Sequence, residues 1–183
     1  KAALMPLHGW LPGAMVAPAP VSAMLHAVAV VKAGVFVILK VSVYIFGPNL
    51  ISALPAATWL LWIAAGTIVI ASVVAMTKDD LKARLAWSTV GQLAYITSAA
   101  MLPAAAGLVA GGLHMLVHAF AKITLFMCAG AIYVATGASK VSEMGGLGRS
   151  MPVVFTCFLV GALCVIGLPP FAGMWSKFLL ISA

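Results

Sequence analysis

The sequence predicts an all-α, polytopic transmembrane helix bundle with broken helices. Three observations lead there. Hydrophobic residues make up 64 % of the 183 and charged residues only 7 %, with a mean hydropathy of +1.20; a soluble domain carries about 25 % charged residues. The apolar runs are far longer than the roughly ten-residue alternating strands of a membrane barrel. Proline and glycine cluster at 5–13 and again at 167–173, inside otherwise apolar sequence, where they interrupt any helix.

The elements follow in order. Residues 1–19 read as a break-rich entry, with Pro6 and Pro12 as helix breaks. Such backbone is tolerated at membrane depth only where protein or a hydrated cavity covers it. A first span is expected at about 20–46, opened by Pro18 and Pro20 and closed by Gly47-Pro48; it carries His26, Lys32 and Lys40. A second, uncharged span is expected at about 56–76. A third, about 82–102, begins in a charged turn and ends at Pro103. Asp79 and Asp80 stand where acids favour a helix N-terminus. The fourth, about 104–136, exceeds the roughly 20 residues a bilayer requires. Residues 137–151 read as a polar, glycine-rich loop. The fifth span, about 152–183, is expected as two half-helices, because Pro169 and Pro170 lack the N–H groups a continuous ladder needs. Residues 1–183 thus read as a single transmembrane domain. The start at Lys1, without Met and directly before a turn signal, reads as the internal piece of a longer chain.

Net charge is +7. In a soluble protein that excess would suggest nucleic acid, but here the basic residues divide between loops and membrane interior, so no nucleic-acid partner is expected. The turn with Lys78, Lys82 and Arg84 and the loop with Lys140 and Arg149 fall on one side when five spans alternate. The positive-inside rule places that side in the cytoplasm, and the expected location is the cell inner (plasma) membrane.

The chemistry concentrates at His114-Met-Leu-Val-His118-Ala-Phe-Ala-Lys122. Residues at i, i+4 and i+8 share one stripe of a helix. A lysine near mid-span is costly in hydrocarbon and should face a bundle interior or a water-filled path, where histidine and lysine are suited to passing protons. Lys1, Lys32 and Lys177 lie at or near membrane depth on other segments. His26 and Lys32 are six residues apart, about 240° around a regular helix, so they should not share a face. Simpler roles compete. A lysine near a helix end snorkels, and a lone membrane histidine is often just an interhelical hydrogen bond. His114 and His118 have the spacing of a zinc pair, but no Glu follows His114 and no third ligand is evident, so no metal is expected. A haem held between His26 and His118 would define a different class, a membrane redox subunit; a structural scaffold is the third possibility. Cys128, Cys157 and Cys164 form no CxxC pair. Gly145-Gly146-Leu147-Gly148 lacks the spacing of a phosphate loop.

Several motifs carry a resemblance. Lys1-Ala-Ala-Leu-Met-Pro6-Leu-His8-Gly-Trp10-Leu-Pro12 is followed by Ala17-Pro18-Ala-Pro20-Val-Ser22-Ala-Met-Leu-His26-Ala and Val31-Lys32-Ala-Gly34. Further on come Asp80-Leu-Lys82-Ala-Arg84-Leu-Ala-Trp87-Ser88-Thr89-Val-Gly91-Gln92, the His114 to Lys122 stretch, and Gly167-Leu-Pro169-Pro170-Phe171-Ala-Gly173-Met-Trp175-Ser176-Lys177. Together these resemble the antiporter-type proton-translocating family, which includes the large membrane subunits of respiratory complex I and subunits of Mrp-type cation/proton antiporters. The wording from Ala121 to Tyr133 looks closer to a D-like member of the Mrp antiporters, or to a membrane-hydrogenase-like member, than to a standard complex I chain. The resemblance implies a fragment of an inverted-repeat, antiporter-like core with broken helices at the site. Lys1 would be the central lysine of a first repeat, and Lys32 with His26 the connection between repeats. His114, His118 and Lys122 would carry the proton on, and Lys177 would be the outlet. It implies no cofactor in this chain, other membrane subunits as partners, and protons, with Na+ or K+ as candidate coupled cations. Gly13 and Ala19 depart from the family pattern, which commonly has Asp and Thr there; both changes leave the lysine set intact.

Overall fold

The computed structural model describes residues 1–102 and 104–183; Pro103, the expected end of the third span, lies outside the described residues. Among the described residues all the regular elements are helical. The entry turns through residues 5–9 into α1 (Trp10–Gly13), which tightens to a 3-10 turn at Ala14–Val16. Pro12 does not break this segment, contrary to the sequence expectation. It sits in the first turn of α1, where an N–H has no intrahelical partner to lose. The break falls instead at Ala17, whose backbone is extended. The entry is covered by protein only in part: Leu11 is fully buried in the core, the His8 ring lies 5.1 Å from that of Trp87, and Met5 N–H donates to Thr67 Oγ1 (3.4 Å), while Pro6, Leu7, Gly9, Trp10 and Gly13 are exposed.

The first long segment is irregular. It runs as α2 (Ala19–Ala23), a π turn (Met24–Val28), α3 (Val30–Val41), a second π turn (Ser42–Phe46) and α4 (Gly47–Ala53). Gly47 and Pro48 do not close it as expected. Gly47 takes φ +73°, open to glycine without strain, and redirects the chain; Pro48 then occupies the first turn of α4, where proline is welcome.

α5 (Pro55–Thr77) and α6 (Leu81–Met101) form an antiparallel hairpin. The buried positions of α5 are Ala57, Ala64, Thr67, Ala71 and Ala75. Such small residues let two backbones approach closely, which drives helix association in membranes. Asp80 starts α6 as anticipated, its Oδ1 accepting from Ala83 N–H at 2.8 Å. Asp79 reaches across the sequence instead: its carboxylate accepts from Ser142 Oγ–H (2.7 Å) and Ser142 N–H (3.1 Å). Those two bonds hold the carboxyl below its ordinary value of 3.8, slight desolvation opposing them and Lys140 and Arg84 assisting. Leu81 N–H to Ser139 O and Val141 N–H to Asp79 O complete a clasp between the α5–α6 turn and the segment after α7.

α7 (Ala105–Thr136) is the axis of the bundle and packs against α2, α6, α9 and α10. The polar loop expected at 137–151 holds a 3-10 turn at Val141–Met144 and a short helix α8 (Leu147–Ser150). The last segment is two helices, as its prolines dictate: α9 (Pro152–Ile166) and α10 (Ala172–Ser182). Gly167 makes the break in a left-handed conformation, φ +86°. Where α10 returns across the end of α9, a Cβ on Gly173 would run into the carbonyl of Cys164; only glycine fits.

By length and composition, Ala19–Ala53, Pro55–Thr77 and Ala105–Thr136 are long and apolar enough to cross a membrane, and Pro152–Ile166 is a shorter apolar helix. α6 is long enough but more polar, with Lys82 and Arg84 in its first turn and Gln92 midway. It is also the helix whose residues are most completely enclosed by the others.

Candidate proton-pathway site

α7 places His114, His118 and Lys122 on its inner stripe, and all three are buried. Lys122 is fully enclosed, at 0 % exposure. It lies about 25 Å from the first residue of α7 and about 21 Å from the last, at 1.5 Å per residue, too deep to snorkel to either end. Its ammonium donates to the carbonyl of Leu85 on α6 (2.9 Å). That carbonyl also accepts from Thr89 Oγ1 (2.8 Å).

One turn away along α7, His118 Nδ1 is hydrogen-bonded to Lys32 Nζ, contributed by α3. Two bases share this contact, so it requires one proton between them: Lys32 donates to a bare Nδ1, or a protonated Nδ1 donates to the amine. Among the described residues His118 Nε2 is buried without a partner. A further turn along, His114 is gripped at both nitrogens, with Nε2 2.9 Å from Gln92 Oε1 on α6 and Nδ1 3.0 Å from Ser176 Oγ on α10. The amide oxygen can only accept, so Nε2 carries the hydrogen. The single Ser176 hydroxyl hydrogen is within reach of both Nδ1 and the Gly173 carbonyl (3.1 Å) and serves one of the two at a time. The His114 and His118 rings stack at 6.3 Å between centroids.

His26 stands at the centre of the first π turn, fully buried, with its ring 5.3 Å from that of Phe126 and both nitrogens unpartnered among the described residues. π turns recur at functional sites because they present a side chain that a regular helix would aim elsewhere. The turn also revises the expected relation of His26 and Lys32. They do not share a face of one regular helix, yet both reach the same stripe of α7, His26 at Phe126 and Lys32 at His118.

Lys177 bonds the carbonyls of Val165 (2.8 Å) and Ile166 (3.0 Å), the open end of α9 at the break. A lysine there satisfies carbonyls that the helix cannot. Its ammonium also lies 5.4 Å from the centroid of the Tyr95 ring, and Tyr95 packs at 5.9 Å from His114. Lys177 is therefore joined to the row through Tyr95 and through its neighbour Ser176. Lys1 is not brought into the row: it is exposed, and its backbone lies against Gly34 of α3, where a Cβ would approach Lys1 Cβ to 2.8 Å.

Three groups at the site were not among the residues singled out from the sequence: Gln92, Ser176 and Tyr95. Gln92 carried a signal, since it and Asn49 are the only side-chain amides in the chain and Gln92 lies mid-helix in α6. Ser176 and Tyr95 carried none that spacing alone reveals. The chain's three acids, Asp79, Asp80 and Glu143, all lie outside the long helices. The buried lysines thus meet imidazole and carbonyl acceptors rather than carboxylates.

This row, built on a broken-helix bundle, defines a class of membrane protein with an internal chain of titratable groups. The family is shown by comparison: residues 1–183 match the model described as "NADH:quinone oxidoreductase/Mrp antiporter, TM", and the chain belongs to that family. Over 97 % of its length it is 38 % identical to NAD(P)H-quinone oxidoreductase chain 5 of Picosynechococcus sp. and of Synechocystis sp., covering 27 % and 26 % of those proteins. It spans about a quarter of the length of these relatives. Among solved structures it superposes on a chain of the Mrp complex from Dietzia sp. DQ12-45-1b, with TM-score 0.88 and 36 % identity over 98 % of this chain and 19 % of that one. It also superposes on a chain of the membrane-bound sulfane sulfur reductase, an archaeal respiratory membrane complex, with TM-score 0.87 and 31 % identity over 98 % and 36 % of the two chains.

Proposed function

We propose that this chain is the proton-translocating membrane portion of an antiporter-like subunit in a multisubunit cation/proton antiporter or a related respiratory complex. One observation carries the reading: Lys122, His118, Lys32 and His114 form a buried row, with a direct Lys32–His118 bond and stacked imidazoles. Short hops between such groups, bridged by water at the unpartnered nitrogens of His26 and His118, would carry a proton across the bundle. Lys177 and Ser176, at the broken helix, would connect the row to the far side. Lys1 would belong to a preceding station rather than to this row.

The names of the relatives favour two settings equally, a quinone oxidoreductase and an Mrp antiporter; in both, this chain would supply ion movement and its partners the rest. Residues 1–183 would act as one transmembrane domain, its partners being other membrane subunits, the lipid bilayer, protons and Na+ or K+. The Lys78–Arg84 turn and the Lys140–Arg149 loop would face the cytoplasm of a cell whose plasma membrane holds the complex.

The test is transport by the full-length, assembled complex in vesicles with a pH-sensitive dye. Lys122→Met should lower ion-coupled proton movement at least about tenfold, equivalent to 1.4 kcal/mol, while the complex still assembles. Lys122→Arg should also impair it, because guanidinium does not readily release its proton. Normal transport by an assembled Lys122→Met complex would contradict the proposal and favour a scaffold.

A further inference from the structure

A groove of about 460 Å3 opens on the outside of the bundle where the start of α2 crosses the end of α7. Its walls are Pro18, Pro20, Met127, Ala131 and Val134, with Met127 and Val134 well exposed. Its floor is tight: a Cβ on Gly130 would come within 2.7 Å of Ala19 Cβ. The polar groups on its lining stand at the basic end, where Lys82 holds its ammonium 5.6 Å from the centroid of the Tyr133 ring. From Tyr133 to Met127 the groove runs about 9 Å along α7, from the level of the basic turns into the apolar depth of the bundle.

The charge around it is unbalanced. Asp80 is spent on capping α6, Asp79 is held by Ser142, and Glu143 sits beside Lys140. Lys82 is left with an aromatic face, while Lys78 and Arg84 add further positive charge on the same turn. An α-helix, about 10 Å across with its side chains, is too wide for a slot closed by the Ala19–Gly130 contact. A single cation at one end of a narrow apolar slot matches an amphiphile with one anionic head.

We propose that this groove binds an anionic glycerophospholipid, one acyl chain between α2 and α7 and the phosphate at Lys82 and the Tyr133 hydroxyl. Binding there would tie α2, and with it the π turn that carries His26, to the end of α7. The inference does not depend on the proton row, and its readout is lipid rather than transport.

The test places a photoreactive benzoylphenylalanine at Val134 of the full-length protein, in the assembled complex and in native membranes, and identifies the adduct by mass. A glycerophospholipid adduct enriched in anionic headgroups relative to the bulk membrane is expected. Lys82→Gln should lower that enrichment about fivefold, the factor for one lysine near an anionic surface, and Lys82→Arg should retain it. Ala131→Phe, which fills the slot, should remove the adduct while subunits still co-purify. An adduct to a polypeptide, an adduct with bulk lipid composition insensitive to Lys82→Gln, or no adduct would each overturn the proposal.

Discussion

At the scale of residues, what distinguishes this interior is how its polar groups are satisfied. His114 is fixed by Gln92 and Ser176 on two different helices, whereas His26 and one nitrogen of His118 have no partner among the described residues. The fixed imidazole is held in one tautomer, and the unpartnered ones sit where a water or a proton can arrive. Gln92→Leu should therefore do more harm than its size suggests. It strips the acceptor from a buried N–H, a loss of about 1–3 kcal/mol, and frees the His114 ring. The expected outcome is a clear fall in transport in assembled complexes in vesicles; an unchanged rate would show that the orientation of His114 is irrelevant. The row of α7 was legible in advance because i, i+4, i+8 spacing is a property of one helix. Gln92, Ser176 and Tyr95 were not, because their membership depends on how α6 and α10 rotate against α7, which packing decides.

At the scale of elements, the breaks matter as much as the helices. Pro169 and Pro170 announced the division between α9 and α10, since a missing N–H acts wherever it occurs within a helix interior. Pro12 misled, because the same missing N–H is harmless in a first turn. The π turns at Met24–Val28 and Ser42–Phe46 left no mark that could be read: an extra residue per turn depends on what the neighbouring helices accept, and the 240° separation of His26 and Lys32 assumed a regular helix. Gly173 is the tightest joint. Gly173→Ala would force its Cβ into the Cys164 carbonyl and push α10 from α9, displacing Ser176 and Lys177. Overpacking of this kind costs about 1–3 kcal/mol. The purified complex should unfold at lower temperature, and wild-type thermal stability would contradict the account of the joint.

At the scale of the whole molecule, α5, α6 and α7 fall within a residue or so of the runs expected at about 56–76, 82–102 and 104–136, whereas the first run is divided by two π turns and continues past Gly47 to Ala53. The clasp between Asp79 and Ser142 ties the two basic loops together, so both must face the same side of the membrane, whichever side that is. From the excess of Lys and Arg we propose that this side is the cytoplasm. A cysteine replacing Ser139 in the full-length protein should then resist impermeant thiol reagents in intact cells and react after permeabilisation; efficient labelling from outside would reverse the orientation.

We propose that the buried bases act as one connected path. The contact between Lys32 and His118 is where two segments, α3 and α7, meet directly, so it offers the sharpest test. Proton transport is measured in vesicles holding the assembled full-length complex, with Lys32→Gln, His118→Gln and the double variant compared at matched incorporation. If the pair works as a unit, each single change lowers the rate, and the double variant is no slower than the slower single, because a link broken once cannot be broken again. Wild-type rates in both singles, or losses that multiply in the double, would contradict a path running through this pair.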